Sequence, residues 1–292
     1  MAARTHAYSV IIPAHNEATV IERCLRAILD DPGADGQPPE IVVACNGCTD
    51  DTAAIARRVA PDATVLDIAQ GSKIIALNAG NAAASVAPRF FVDADIVVSG
   101  QALRAVAREL AKDGNIRAAA PALDVDLTGC SWPVRAYYKV WLRQPYVLDG
   151  MVGSGIFGLS ATGLAEIGQF PDIIADDFYV RSRFAPAQRA RIDRDEDGKP
   201  LKFIVFPPRD LRSLVRIESR RRVGDMQLKQ AHDTGHTART TTGNTLLAAL
   251  GNGVGVFDLA WYVAIKAAGQ AWARLQMRSR KPIVWKRDES SR

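Results

Sequence analysis

Two patterns of apolar and polar positions alternate along the first 120 residues of the chain. Short runs of consecutive apolar residues are typical of buried strands, and stretches with an apolar residue every three or four positions are typical of amphipathic helices. The runs predict strands at 8–12, 41–44, 63–68, 90–92 and 116–120. The helical periodicity predicts helices at 20–29, 49–59, 72–86 and 101–111. This alternation favours an α/β fold with a mostly parallel sheet flanked by helices.

The start of two of these helices carries residues that can cap them. Thr49 or Asp50 precedes the second helix, and Ser72 precedes the third. Their side-chain oxygens can accept a hydrogen bond from a backbone N–H group of the first turn. We therefore expect the loops before both helices to have a defined conformation.

The alternation ends near residue 123. Aromatic residues then crowd 132–146, where we expect core or interface packing, with stacking on sugar rings as the alternative. Residues 193–198 predict an exposed turn before a strand at 203–206. We divide the chain into an α/β half at 1–122, a second half of the same domain at 123–225, and a C-terminal extension at 226–292.

The C-terminal extension combines apolar and basic residues. Residues 246–265 are apolar over the length of a membrane span, but Asn252 and Asp258 interrupt them. Eight Lys or Arg and two acids follow within 266–292. This mixture is typical of an amphipathic helix on an anionic membrane surface. A helix packed on the catalytic domain or on a dimer partner, or a true span, are the alternatives.

Composition narrows the class of protein. The net charge is +5, and the basic segments can attract phosphates, nucleic acid or anionic lipid. We expect no nucleic-acid partner, because the arginine-rich segment 209–222 lacks a recognisable binding module. Four cysteines in 292 residues argue against a disulfide scaffold. The N-terminus has no apolar signal core, so we expect a cytoplasmic protein, bound at the inner face of the membrane if the extension contacts lipid.

Polar segments follow three of the predicted strands, at 13–17, 46–51 and 93–95. The carboxyl ends of parallel strands lie at one edge of a sheet, and ligands bind beyond that edge. In the last segment, Asp93 and Asp95 follow a buried strand. Two neighbouring carboxylates repel each other unless a cation lies between them, and Mg²⁺ or Mn²⁺ prefers such oxygen ligands. The pattern predicts a metal–diphosphate site, and its alternative is a pair of solvent-facing acids in a turn.

Four segments in this order resemble the motifs of family 2 glycosyltransferases, which have the GT-A fold. The resemblance covers roughly residues 8–225. The matching runs are Val10–Glu17, Val42–Thr52, Gly71–Gly80 and Asp93-Ala94-Asp95. The resemblance implies an inverting transferase, dependent on Mg²⁺ or Mn²⁺, with a Rossmann-like GT-A domain and a UDP- or GDP-linked sugar donor.

The resemblance also implies roles for individual residues. Asp95 would ligate the metal, Asp93 would lie near the ribose, and Lys73, near a helix start, suits a phosphate or the base. Where the family commonly has an acid in its second loop, this chain has Cys45 and Asn46. The implied donor-binding residues are Pro13, His15, Asn16, Glu17, Cys45, Asn46, Lys73, Asn78, Asp93, Ala94 and Arg222.

Asp176 and Asp177 resemble the acidic pair that carries the family's catalytic base. Asp177 falls at the position of the base, and Asp176 is the second candidate. A carboxylate within hydrogen-bond reach can take the proton of an acceptor hydroxyl as that hydroxyl attacks the sugar. The alternative is a helix start with two acids that stabilise its dipole. Gly153-Ser154-Gly155 resembles an acceptor-side loop, with a plain turn as its alternative.

Other chemistry has less support. Cys45 and Cys48 have the spacing of a redox pair, but nothing else in the sequence predicts a thioredoxin-like unit. The same pair is weak evidence for a zinc site, because a second cysteine pair is missing. His232 or His236 could reach the metal, although their surroundings favour a mobile loop.

We expect a lipid-linked or cell-surface glycan as acceptor. A sugar-phosphate nucleotidyltransferase and a sugar-binding module without turnover are the alternative functions.

Overall fold

The computed structural model describes residues 6–30, 38–112, 114–148, 153–173, 175–231, 236 and 253–278. The chain forms two compact units. The first contains residues 1–124, 151–172 and 176–205, and the second contains 125–150, 173–175 and 206–292. The division that the sequence suggests, at 122 and 225, stays a prediction.

A twisted sheet forms the first unit. Its strands are β1 (Ser9–Ala14), β2 (Glu40–Asn46), β3 (Thr64–Ile68), β4 (Arg89–Val92), β5 (Val97–Val98), β6 (Ala118–Val125), β7 (Ile156–Leu159), β8 (Arg189–Ile192) and β9 (Lys202–Val205). The strand order is β3-β2-β1-β4-β7-β6-β9-β5, with β8 paired to β6. β1 to β4 are mutually parallel, and β7 is antiparallel to both β4 and β6. The parallel arrangement therefore holds for the first four strands, and the sheet is mixed beyond them.

Helices connect the parallel strands as the periodicity predicts. The connecting helices are α1 (Ile21–Leu29), α2 (Thr52–Val59) and α3 (Lys73–Ala83). The predicted helix α4 (Gly100–Ala111) follows β5, and α7 (Ala161–Ile167) and α8 (Asp176–Arg183) follow β7. Ser72 caps α3, because its Oγ accepts a hydrogen bond from the Ile75 N–H at 3.3 Å. Asp51 occupies the cap position of α2, and the Asp50 carboxylate accepts a hydrogen bond from the Thr52 N–H instead.

The core of the first unit lies against β1, β2 and β4. Alternate residues of β2, Ile41, Val43 and Cys45, face the same buried cluster as the apolar side of α1. Since side chains alternate across a strand, the neighbouring residues point to the other face of the sheet. Both faces are apolar, so these strands contain continuous apolar runs, as parallel strands covered on both sides usually do.

Helices form the second unit: α5 (Trp132–Trp141), α6 (Pro145–Leu148), α9 (Leu211–Ala231) and α10 (Val256–Arg278). Tyr137, Tyr138 and Trp141 are buried in it, as expected for the aromatic segment, whereas Trp132 is exposed. Within the described part of the chain, no helix is both long enough and apolar enough to cross a bilayer.

Candidate functional site

Three loops meet at the carboxyl ends of β1, β2 and β3. Gly47 adopts a left-handed conformation (φ +56°), and a Cβ atom there would lie 2.8 Å from the Cα atom of Gly71. The Gly47 N–H donates to the carbonyl of Ile68 at 2.7 Å. His15 Nδ1 is hydrogen-bonded to the Asn46 carbonyl oxygen at 2.5 Å. The loops at 13–17 and 46–51 therefore lie together, as the sequence predicts, and the turn before α3 joins them.

The first loop is held by the second through its polar residues. Asn16 has positive φ (54°), and its Oδ1 accepts a hydrogen bond from the Thr49 N–H at 2.7 Å. The Glu17 N–H donates to Thr52 Oγ1 at 2.7 Å, and Glu17 itself is buried. These contacts fix the backbone of the loop that follows β1.

Three residues expected to bind the donor have side chains that contact other parts of the protein instead: Cys45, Asn46 and Asn78. Cys45 lies in the core, and burial first, then Cys48, raises the pKa of its thiol to about 12. Asn46 is buried and donates from Nδ2 to the Ala14 carbonyl at 2.9 Å. Asn78 donates to the Phe170 carbonyl at 3.0 Å and accepts from the Phe170 N–H at 2.9 Å. Both ends of the Asn78 amide therefore join α3 to the segment before α8.

Lys73, the first residue of α3, bridges two carboxylates. Its Nζ atom lies 2.8 Å from Asp93 Oδ1 and 3.1 Å from Asp176 Oδ2. The side chain of Asp176 is only 6% exposed, and those of Lys73 and Asp93 are partly exposed. The positive charge of Lys73 thus compensates the negative charges of Asp93, at the end of β4, and Asp176, at the start of α8.

The environment changes the pKa of both members of the buried pair. Burial raises the pKa of Asp176 to about 6, against the opposing attraction of Lys73 and with the added repulsion of Asp177 and Asp93. Burial by itself would lower the pKa of Lys73, but Asp176 and Asp93 raise it well above its usual range. Lys73 is therefore charged at neutral pH, and Asp176 titrates in the mildly acidic range.

Asp177 is held by backbone N–H groups. Its Oδ2 accepts from the Ser154 N–H at 3.1 Å, and its Oδ1 accepts from its neighbour Phe178 at 2.7 Å. Gly153, with φ of +114°, allows this approach, since a Cβ atom there would lie 2.9 Å from the Cβ of Asp177. The glycine-containing loop therefore orients this carboxylate.

These acids surround a small cleft. It is lined by Lys73, Leu77, Phe91, Asp93, Gly155, Phe157, Asp176 and Asp177. The rings of Phe91 and Phe157 stack with centroids 5.0 Å apart, and Phe170 packs edge-on against Phe91 at 5.0 Å. The sequence predicted the charged residues of this cleft but not its aromatic wall, because Phe91 and Phe157 lie in strands that looked like ordinary core.

The remaining predicted site residues lie around or away from this cleft. Pro13 and Ala94 are buried, and Asp95 is half-buried beside α1, where its carbonyl accepts from Arg23 at 3.2 Å. Asp95 is not among the residues that line the cleft. Burial and the nearby Asp95 raise the pKa of Cys24 to about 12.

Two further predictions concern residues of the second unit. Arg222 lies in α9, and its buried Nε atom has no hydrogen-bond partner among the described residues. His236 is exposed, and His232 lies outside the described residues. In the described ranges, no group of three or more His, Cys, Asp or Glu side chains could hold a metal ion by itself.

A family model and several solved structures match the chain. Residues 9–146 match the model of glycosyl transferase family 2. Mannosyltransferase PcManGT from Pyrobaculum calidifontis, solved with GDP-Man and Mn²⁺, is 20% identical with a TM-score of 0.58, over 94% of this chain and 79% of that chain. No curated protein matches this chain in sequence.

Two other solved structures have the same fold. Glucosyl-3-phosphoglycerate synthase from Mycobacterium tuberculosis, with Mn²⁺, UDP and glucosyl-3-phosphoglycerate, is 22% identical with a TM-score of 0.54, over 80% of this chain and 83% of that chain. S. aureus TarS 1–349 is 14% identical with a TM-score of 0.51, over 96% and 93%. These likenesses confirm the GT-A fold that the motifs predict.

Proposed function

We propose that this chain, a glycosyltransferase whose residues 9–146 belong to glycosyl transferase family 2, moves a sugar from a nucleoside-diphosphate sugar to an acceptor hydroxyl with inversion at the anomeric carbon. One observation carries the proposal. Asp93 at the end of β4, Lys73 at the start of α3, and Asp176 and Asp177 at the start of α8 surround one cleft. Such a cleft offers a cation, one acid of the metal-binding motif and a base to the two reacting groups.

The donor set suits a hard divalent cation. Asp93 and Asp95 offer carboxylate oxygens, the ligands that Mg²⁺ and Mn²⁺ prefer, and no described cluster forms a complete protein cage. This fits an ion that takes its remaining ligands from the donor diphosphate, with Asp95 as its protein ligand. When bound, the ion would neutralise charge on the departing diphosphate.

Asp177 is the better candidate for the base. Both of its oxygens are oriented by backbone N–H groups, and it is only half-buried, whereas Asp176 is buried and ion-paired with Lys73. In the proposed step, the acceptor oxygen bonds to the anomeric carbon as the bond from that carbon to the diphosphate oxygen breaks. The hydroxyl proton passes to the Asp177 carboxylate.

Lys73 would bind the phosphates or the base of the donor. A cation at the N-terminus of a helix adds to the attraction that the helix itself has for anions. The ion pairs of Lys73 with Asp93 and Asp176 hold its charged group at the cleft. Arg222 would help to bind the leaving diphosphate.

The donor and the acceptor follow from different observations. One solved neighbour binds GDP-Man and another UDP, so we propose a GDP- or UDP-linked sugar as donor. The apolar and basic C-terminal helix supports a lipid-linked or cell-surface glycan as acceptor, at the inner face of the cell membrane. The protein would then be cytoplasmic and peripheral.

Thermal unfolding with a set of nucleotide sugars tests the donor. A ligand that binds only the folded state raises the midpoint temperature, and at 100-fold excess over its Kd it adds about 2.7 kcal/mol. We expect a large shift for one donor together with Mn²⁺ and a small shift for either alone. No shift with any donor and metal would contradict the proposal.

The Asp177→Asn variant tests the base. We expect turnover to fall by about 100-fold or more, while the donor-dependent thermal shift remains. NMR of the product tests inversion directly from the anomeric configuration. Unchanged turnover in Asp177→Asn would show that the base is another residue, and Asp176→Asn is the variant to compare.

A further inference from the structure

Large apolar side chains lie exposed along one side of α10. Val256, Phe257 and Leu275 are 74%, 68% and 66% exposed, and Val263 and Trp272 are each 40% exposed. We call these five residues the α10 face. Single exposed apolar residues are ordinary, but several along one helix mark an interaction surface.

The opposite side of the same helix packs against its own unit. Leu259, Tyr262, Ile265 and Ala273 are at most 9% exposed. Leu259, Tyr262 and Ile265 therefore face the interior of the second unit. They recur at the spacing of a core-facing stripe, whereas the α10 face is exposed in the described part of the chain.

Before Arg274, few charged residues interrupt α10. Between Val256 and Ala273 the helix has two charged residues, Asp258 and Lys266. Asp258 is ion-paired with Lys139 of α5, and Lys266 Nζ lies 2.6 Å from Glu218 of α9. Both charges are compensated inside the unit, so they do not oppose burial of the face in an apolar medium.

Aromatic rings extend this surface onto α5. Trp132 is 52% exposed, and its ring centroid lies 5.7 Å from that of Phe257 and 5.1 Å from that of Trp261. Tryptophan is favoured at the boundary between headgroups and acyl chains, because its ring is apolar and its N–H is polar. Arg135, one turn after Trp132, is also exposed.

We propose that the α10 face with Trp132 docks on an anionic membrane surface. Exposed Arg274 lies at the C-terminal end of α10, and the sequence continues with Arg280 and Lys281. Basic residues beside an apolar face suit anionic headgroups, whereas a second copy of this chain would present the same positive charge. The inference rests on the proposed function in one respect: the docked membrane would hold the acceptor.

Cosedimentation of the full chain with lipid vesicles tests the docking. Vesicles of phosphatidylcholine alone are compared with vesicles that contain about one-third phosphatidylglycerol, and attraction of basic residues should favour the latter. We expect Val263→Glu and Ala268→Glu, both at exposed positions of α10, to weaken binding by on the order of tenfold. Ala54→Glu, at an exposed position of α2, is the matched control and should bind like the unaltered chain.

The outcomes separate the possible partners. Equal binding by all three variants, or no binding of the unaltered chain to either vesicle, would overturn the proposal. A dimer in analytical ultracentrifugation that Val263→Glu dissociates, without vesicle binding, would identify a second copy as the partner. Donor-induced thermal shifts are measured without vesicles and therefore do not depend on membrane docking. Failure of the transferase proposal and failure of docking thus give different results.

Discussion

The ammonium group of Lys73 lies 3.1 Å from the carboxylate of Asp176, although the two residues come from distant parts of the chain. The same ammonium group lies 2.8 Å from Asp93. Lys73 therefore links the carboxyl end of β4 to the start of α8, and its charge allows a buried carboxylate to be present in the cleft.

Replacement of Lys73 should make stability more dependent on pH. The pKa of Asp176 is raised from 3.8 to about 6, so its ionisation costs stability as the pH rises through that range. In Lys73→Met the pKa should rise further and the cost should grow above pH 6. We expect a loss of roughly 2 kcal/mol at pH 7 and a smaller loss at pH 5, measured by urea unfolding.

The control for this prediction is Lys202→Met. Lys202 forms an ion pair with Asp124 in which both side chains are about half exposed. Exposed pairs contribute little, so this variant should stay within about 0.5 kcal/mol of the unaltered protein at both pH values. An equal loss at pH 5 and pH 7 in Lys73→Met would contradict the assigned role.

Gly153 should be sensitive to the smallest substitution. In Gly153→Ala the new methyl group would meet the Cβ of Asp177 at 2.9 Å, in a backbone conformation that disfavours alanine. We expect kcat to fall by about tenfold or more with little change in the KM for the donor, because the carboxylate is displaced. Gly198 also has positive φ, but a Cβ atom there would have no neighbour within 4 Å. Gly198→Ala therefore measures the effect of backbone strain alone. Equal kcat in both variants would refute the steric explanation.

Asn78 should prove structural rather than donor-binding. Its amide accepts from and donates to the backbone of Phe170, so Asn78→Ala leaves both backbone groups without these hydrogen bonds. We expect about 1–3 kcal/mol lower stability in urea unfolding, with the donor Kd nearly unchanged in the fraction that stays folded. A large rise in that Kd with unchanged stability would support the donor contact that the sequence predicts.

Glu218 should make the second unit sensitive to acid. Burial would raise its pKa, but Lys266, Arg221 and Tyr137 lower it from 4.5 to about 2. That difference corresponds to roughly 3 kcal/mol, present above pH 4.5 and lost as the pH falls towards 2. Glu218→Gln should lose about 2–3 kcal/mol at pH 7 and little near pH 2, by thermal or urea unfolding.

The matched control is Glu109→Gln. Glu109 pairs with Lys112 three residues later on the surface, where such pairs contribute only a few tenths of a kcal/mol. If Glu109→Gln and Glu218→Gln lost the same stability, or if the loss in Glu218→Gln did not diminish in acid, the assignment of Glu218 would fail.

Much of the fold follows from local patterns. The apolar runs that became β1 to β4, the helical stripe of α1 and the cap at Ser72 depend on residues close in sequence. Polar residues after parallel strands had to meet at one edge, which predicted that the loops at 13–17 and 46–51 converge. The ordered motifs also predicted Asp93, Asp176 and Asp177 as members of one site, and they line one cleft.

The sequence by itself determined which elements form, the edge at which polar residues gather and the resemblance to a family of glycosyltransferases. Only the tertiary structure decided what each side chain contacts. Cys45 faces the core because strand alternation turns it there, and Asn78 binds Phe170 because that distant segment passes beside α3. Lys73 meets Asp176 for the same reason. Contacts between distant segments depend on the packing of the whole sheet, and no local pattern of apolar and polar residues contains that information.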